Sequence, residues 1–457
     1  MSKTQYKTVA ILGAGPVGLA AAAHVIERGM VPLVLEQGPE VGHAMKQWGH
    51  VQLFSHWGLN VDAAARRLLQ AHGWQLPDED GFPAGAEIVD RYLVPLSRLP
   101  GLEGRVHCNH RVISLSRLGL DKVVDQDRAA TPFLILVQSP DGERRFIADA
   151  VIDATGTWFS PNPAGSGGLP ATGELGHPAL RYGMPDVSGA ERARYLGKRV
   201  AVLGGGHSAV GTLIELANLP DTTPIWLLRK NSPRRALGGG AADQLAERGT
   251  LGMVLTRIIG DERVKVQSGF HLAEIDGTPP ILRAEDGRQV LADQLVVATG
   301  FRPDLSFLRE VRVSLDAGLE CPPALAPLID PNLHSCGTVR PHGAAELAHP
   351  EPGFYIAGMK SYGRAPTFLM ATGYEQVRSI VAQIAGDQAA AARVELVLPE
   401  TGICNGPPVT AQASCCGGAP IARTDACCAQ DEAAKNAGGP GCGCNSPAPP
   451  ETVRCCG

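Results

Sequence analysis

The residues carrying the most chemistry in this chain are two short glycine runs. Gly13-Ala14-Gly15-Pro16-Val17-Gly18 follows the apolar run Thr8-Val9-Ala10-Ile11-Leu12. About 190 residues later, Gly204-Gly205-Gly206-His207-Ser208-Ala209 follows Val200-Ala201-Val202-Leu203. In a strand–turn–helix unit the first Gly permits the tight turn and the second lets a phosphate approach the backbone. The third position must be small so that the helix can pack on the strand. Gly18 and Ala209 fill that third position. The helix that follows offers unpaired N–H groups and a positive dipole end to a pyrophosphate. The next strand then ends in a charge. Val31-Pro32-Leu33-Val34-Leu35 leads to Glu36, whose carboxylate can accept ribose hydroxyl protons. Pro224-Ile225-Trp226-Leu227-Leu228 leads to Arg229 and Lys230, which cannot accept those protons but can pair with a 2′-phosphate. The first site therefore reads as FAD- or NAD-binding and the second as NADPH-binding. Taken singly, either run also fits a plain turn, and Arg229 also fits a solvated strand end. The two framed copies together point to two nucleotides and electron transfer between them.

A second repeat frames the first. Val151-Ile152-Asp153-Ala154-Thr155-Gly156 and Leu295-Val296-Val297-Ala298-Thr299-Gly300 are buried-type strands with the same Ala-Thr-Gly end. They read as the points where the chain leaves and re-enters the first nucleotide domain. The expected fold is α/β, with two Rossmann-like dinucleotide-binding domains and the NADPH domain inserted into the FAD domain. Residues 1–160 form the first part of the FAD domain, and 161–291 the linker and NADPH domain. Residues 292–390 complete the FAD domain, and 391–457 form a flexible, cysteine-rich tail. Within that frame Phe159 to Tyr182 is rich in Pro and Gly and reads as the crossover. Asp62–His72 and Glu87–Leu99 look helical, and Phe133–Val137 with Arg144–Ala148 form a hairpin around Pro140-Asp141-Gly142. Pro352 to Gly358 is a last strand, and Pro366 to Ala385 a helix whose N-terminus, by fold analogy, points at the flavin. Thr155, Gly156 and Gly358 join the FAD candidates. So does Trp48, which lies in an aromatic loop with Phe54, His56 and Trp57; core packing is an equal reading for such aromatics. His56, His177 and Lys360 are possible pocket residues, and no residue is singled out as a catalytic acid or base.

A chain of 457 residues suits two domains with additions. A net charge of −5 gives no reason to expect a nucleic-acid partner. No apolar run approaches the ~18 residues of a membrane span. The first strand begins by Thr8, which leaves no room for a signal peptide, so a cytoplasmic location is expected.

That location bears on the cysteines. Nine of the twelve lie at or after Cys404, among them Cys415-Cys416, Cys427-Cys428, Cys442-Gly443-Cys444 and Cys455-Cys456. The residues between them cannot build a core. In a reducing compartment such pairs bind soft ions or carry redox equivalents rather than forming structural disulfides. No CxxC pair and no histidine accompanies them, so zinc is disfavoured, and trivalent arsenic, Hg(II) or Cu(I) suits them better. An inert tail and a redox shuttle are the other readings. The body holds Cys108, Cys321 and Cys336, with no CxxC or CxxxxC, so the dithiol of a disulfide reductase is not expected beside the flavin.

The order of fingerprint, Ala-Thr-Gly, fingerprint, Ala-Thr-Gly resembles that of class B flavin-dependent monooxygenases. Ser208-Ala209 with the following Arg229 looks like their NADPH site. Gly173 and His177 resemble the end of their FxGxxxH linker motif, with Ala171 in place of Phe. Trp48-Gly49-His50-Val51-Gln52-Leu53-Phe54-Ser55, Lys360-Ser361-Tyr362-Gly363-Arg364-Ala365-Pro366-Thr367-Phe368-Leu369 and Leu398-Pro399-Glu400-Thr401-Gly402 look like stretches of FAD-dependent oxidoreductases from bacterial arsenic-resistance gene clusters. The likeness covers roughly residues 5–404. It implies NADPH-driven reduction of FAD, with O₂ and a small soft nucleophile such as a trivalent arsenical as the other reactants. Two alternatives stay open. One is an NADPH-dependent reductase of a thiol-bound metalloid or disulfide using the tail cysteines. The other is a thiophilic-ion carrier.

Overall fold

In a computed structural model the chain divides into two units, Met1–Pro408 and Val409–Gly457. The structure describes residues 7–233, 246–333, 340–365 and 368–396, all in the first unit. Cys336, the segment from Leu398 to Gly402 and every tail cysteine lie outside the described residues.

Two five-stranded parallel sheets carry the architecture. The first has the order Phe354–Ile356, Ala150–Asp153, Thr8–Leu12, Val31–Leu35, Val106–His107. Strands in such sheets are covered on both faces and read as unbroken apolar runs. Val9–Leu12 and Val151–Ile152 are accordingly fully buried. The helix Pro16–Glu27 follows the first strand and buries Ala20–Ala23, whose small side chains let it lie against the helix Met370–Ala385. The latter begins four residues later than expected; Pro366 and Thr367 lie outside the described residues. The helical expectations near residues 62–72 and 87–99 correspond to Ala63–Gln70, capped by Asp62, and to consecutive turns from Gly85 to Ser97. The hairpin Phe133–Ser139 with Gly142–Ala148 forms as expected, and Arg111–Arg117 joins it as a third strand.

The second sheet has the order Lys265–Gln267, Thr223–Leu227, Arg199–Leu203, Gln294–Val297, Leu180–Tyr182. This corrects two expected boundaries. The strand ending in the second Ala-Thr-Gly does not re-enter the first domain at residue 292. It pairs with Arg199–Leu203 and belongs to the second sheet. The crossover also ends earlier, because Leu180–Tyr182 is the edge strand of that sheet. An apolar run says that a strand is buried but not which sheet it completes. The re-entry comes just after Gly300. There Phe301 bridges Pro161, and Thr299 Oγ1 donates to Asn162 O at 2.8 Å. The two connections between the domains are thus tied to each other.

Candidate nucleotide sites

Each sheet reverses its strand order at one point, and ligands of such sheets sit outside the carboxyl ends there. In the first sheet that point lies between Thr8–Leu12 and Ala150–Asp153. Gly13 turns out of the first strand at φ +97°, and a Cβ on it would stand 2.7 Å from Ala154 O. A Cβ on Gly18 would stand 2.0 Å from Gly13 O, which is the close helix–strand packing the third glycine serves. A Cβ on Gly15 would meet nothing within 4 Å. Gly15 caps the helix without a side-chain hydrogen bond, and Pro16 takes the first helical position, so the first-turn N–H groups face an open approach. Glu36 is buried. Its Oε2 accepts the Ala14 N–H at 2.7 Å and its Oε1 accepts the Gly38 N–H at 2.8 Å. The acid expected to meet a ribose therefore also braces the glycine turn, and each oxygen keeps further acceptor capacity.

Thr155 Oγ1 donates to Asp153 Oδ1 at 2.7 Å, and Gly156 turns the chain away at φ +67°. Gly358, at φ +72°, donates its N–H to Gln376 Oε1 at 2.7 Å. A Cβ on Gly373 would stand 2.6 Å from Val17 Cγ2, so the first turns of Met370–Ala385 and Pro16–Glu27 meet. Two positive helix ends converge where the strands Thr8–Leu12, Ala150–Asp153 and Phe354–Ile356 end. Trp48 packs on Gly85 and tilts against Trp158 at 6.4 Å between ring centres.

The second site repeats the frame. Gly204 has φ +146°, and a Cβ on it would lie 2.3 Å from Ala298 O, as Gly13 lies against Ala154. Gly206 is open and caps the helix His207–Ala217 without a side chain, while Ala209 is fully buried. The two Ala-Thr-Gly repeats are therefore equivalent positions of two similar units. Ser208, in the first turn, accepts the Thr212 hydroxyl on its carbonyl. His207 meets Phe54 of the first domain edge-to-face at 5.4 Å. Arg229 and Lys230 are exposed, and Arg229 Nη1 donates to Ser166 O of the crossover at 3.2 Å. Each site thus fits a dinucleotide: an uncapped helix end, an open second glycine, and a small third residue packed against the strand turn or fully buried.

The three possible pocket residues turn out to have local partners. His56 precedes the short helix Trp57–Asn60 and bonds Glu79 O through Nδ1 at 2.9 Å. His177 donates from Nε2 to Gly277 O at 3.0 Å and accepts the Ala179 N–H on Nδ1, so it clamps the crossover to the second domain. Gly173 serves the same seam, since a Cβ there would stand 2.1 Å from Ile275 O. Lys360 is not a pocket wall: its side chain is fully buried, 2.7 Å from Asp153 Oδ2. Asp153 and Gln376 are the site residues that sequence reasoning missed. An acid ending an apolar strand was a readable signal for the first; nothing in the sequence marked the second.

A cleft of about 240 Å³ opens where the domains join, between Gln47, Trp158, Phe159, Arg181, Tyr182 and Phe301. Gln47 Oε1 accepts the Trp158 ring N–H at 2.7 Å, and His43 stacks on Phe159. The described cysteines are separate thiols. Burial pushes Cys321 up to about 12 and also raises Cys108. Among the described residues no helix is long and apolar enough to cross a membrane. No group of three or more His, Cys, Asp or Glu residues there is arranged to hold a metal ion.

Comparison with known proteins agrees with this geometry. The family described as "Pyridine nucleotide-disulphide oxidoreductase" matches residues 7–350, so the chain belongs to that family. It is a flavin-dependent oxidoreductase whose cofactors are FAD and NAD(P)H. No curated protein matches the sequence. Among solved structures the chain is similar to a bacillithiol disulfide reductase from Bacillus cereus, with 20% identity and a TM-score of 0.61 over 84% of this chain and 99% of that one. It is similar to a flavin-containing monooxygenase from Stenotrophomonas maltophilia, with 21% identity and a TM-score of 0.51 over 83% and 98%. A thioredoxin reductase from Lactococcus lactis shows 17% identity and a TM-score of 0.52 over 84% and 98%. At these identities the likeness is one of fold.

Proposed function

We propose that this member of the family is an NADPH-oxidising flavin monooxygenase acting on a small soft nucleophile, with trivalent arsenicals as candidate substrates. The observation that carries this reading is the state of the described cysteines. Cys321 is buried with its thiol held far from ionisation, and Cys108 is raised in the same sense, so neither is set up as a thiolate. Among the described residues, therefore, no thiol is set up for disulfide exchange, and a monooxygenase needs none.

FAD supplies hydride acceptance and the activation of O₂. In this reading the Gly13–Gly18 turn and the helix end at Pro16 hold its pyrophosphate, Glu36 its ribose, and Thr155, Gly156 and Gly358 line its approach, with Trp48 at the edge. The Gly204–Ala209 turn holds the pyrophosphate of NADPH, Ser208 stands at that helix end, and Arg229 and Lys230 meet the 2′-phosphate. The cleft at the domain junction, lined by Trp158, Phe159 and Phe301, is where a compact substrate would enter.

The family description and the two reductase neighbours favour a second reading, in which a tail pair such as Cys415-Cys416 or Cys455-Cys456 is the second redox centre. NADPH oxidation by the purified flavoprotein, with and without O₂ and a trivalent arsenical, separates the two. Consumption that is O₂-dependent and arsenical-stimulated supports the monooxygenase. Anaerobic turnover abolished by Cys→Ser exchange in the tail supports the reductase. No NADPH oxidation under either condition sinks both.

A further inference from the structure

The first domain keeps a charge pair in an unusual place. Asp153 ends the strand Ala150–Asp153 at the carboxyl edge of the sheet, opposite Leu12 on one neighbour and Ile356 on the other. Lys360 reaches it from the turn Gly358–Tyr362, and both side chains are fully buried. The ammonium lies 2.7 Å from Asp153 Oδ2, a charge contact without hydrogen-bond geometry. Its directed hydrogen bond goes to Thr155 Oγ1 at 3.0 Å, and that hydroxyl donates in turn to Asp153 Oδ1 at 2.7 Å. The three groups form a closed ring at the Ala-Thr-Gly turn, with the ammonium 4.6 Å from the centre of the Phe307 ring.

Stability alone is a poor reason for such a pair. Desolvating two charges usually offsets their attraction, and an apolar pair of similar size often serves as well. The location supplies a better reason. Ala154, next in the chain to Asp153, abuts Gly13 of the fingerprint, and Lys360 belongs to the turn that Gly358 opens, so the ring joins two of the segments assigned to FAD under the proposed function. We propose that Asp153 and Lys360 are positioning residues that set the reduction potential of the bound flavin, Lys360 raising it and Asp153 lowering it. Reduction adds negative charge to the flavin, and a fixed charge in a poorly screened site acts on that charge at a distance. Two other titratable groups face the pair, Asp304 near Lys360 and His349 near Asp153, and the variants below leave both in place.

The test is a redox titration of the FAD-loaded enzyme against a dye of known potential. Asp153→Asn leaves an uncompensated ammonium and raises the equilibrium constant for flavin reduction about tenfold, or about 30 mV for a two-electron couple. Lys360→Met lowers it by a similar factor. The double variant, neutral again, returns to within about threefold of wild type. Shifts of both single variants in the same direction, or no shift in either, overturn the proposal. Should a single variant fail to retain FAD, the double variant decides. Retention of FAD at the wild-type potential supports a charge role, whereas loss of FAD or a shifted potential there means the residues act through shape.

Discussion

The two nucleotide turns are copies in backbone and opposites in surroundings. Both open at a switch point, both press the first glycine against an Ala-Thr-Gly strand end, and both leave a helix end uncapped. The first is then closed in by a buried Glu36, a buried ion pair and the end of the helix Met370–Ala385. The second displays Arg229 and Lys230 to solvent. One turn geometry thus stands in two kinds of surroundings. Contacts drawn from distant parts of the chain suit a cofactor that stays. Exposed cations, screened by salt, suit one that comes and goes.

The sharpest way to break this contrast is steric. Gly18→Val drives a side chain into Gly13 O, which a Cβ alone would approach to 2.0 Å. It should cost at least about 3 kcal/mol, the upper end of overpacking, and abolish flavin absorbance in the purified protein. Gly206→Val points into open space. It should leave flavin bound and the melting temperature nearly unchanged while weakening NADPH binding. Equal loss of flavin in both variants would erase the distinction.

Acid should also separate the domains. Burial pushes His349 down to about 4, so it is neutral in the folded first domain. The unfolded chain, with an ordinary histidine near 6.5, binds more protons between those values, and stability falls as pH drops from about 6.5 towards 4. Between pH 7 and pH 5 this amounts to about 2 kcal/mol. Urea unfolding followed by flavin fluorescence should shift accordingly, and His349→Gln should remove most of the shift. An undiminished shift in that variant would place the acid sensitivity elsewhere.

Glu36 is the next rung. Glu36→Gln keeps the shape but offers one acceptor oxygen to two backbone N–H groups, those of Ala14 and Gly38. One buried donor then goes unpaired, at about 1–3 kcal/mol. FAD affinity should fall about tenfold by fluorescence titration, while KM for NADPH stays within about twofold.

These contrasts were only partly readable in the chain. The glycine turns were legible because their spacing answers to local sterics: a positive φ at Gly13 and Gly204, and no room for a Cβ at Gly18. The parallel strands were legible because burial on both faces leaves unbroken apolar runs. Sheet membership was not. Gln294–Val297 and Ala150–Asp153 look alike, and only pairing shows that they finish different sheets. Partners across long separations were equally hidden. Lys360 finds Asp153 and Thr155 more than 200 residues earlier in the chain, and His177 finds Gly277 O. Each looked like a free polar residue near a site until folding supplied the other half.

The smallest expected effect bears on the second site. Arg229 makes one hydrogen bond among the described residues, from Nη1 to Ser166 O, and its guanidinium carries five donors. The other donors meet no described residue and can serve a 2′-phosphate at this solvent-exposed position, where a charge pair contributes modestly. Arg229→Ala should raise KM for NADPH about tenfold, equivalent to about 1.4 kcal/mol, and KM for NADH less than twofold. Lys230→Ala should act in the same direction and more weakly, because an ammonium offers a point charge where the guanidinium offers a planar fork. Added salt should shrink the NADPH effect and leave flavin binding unmoved, since only the second site depends on exposed charge. If both variants raised the two KM values equally, Arg229 and Lys230 would be reduced to a solvated strand end, and the contrast between the sites would rest on the buried groups of the first alone.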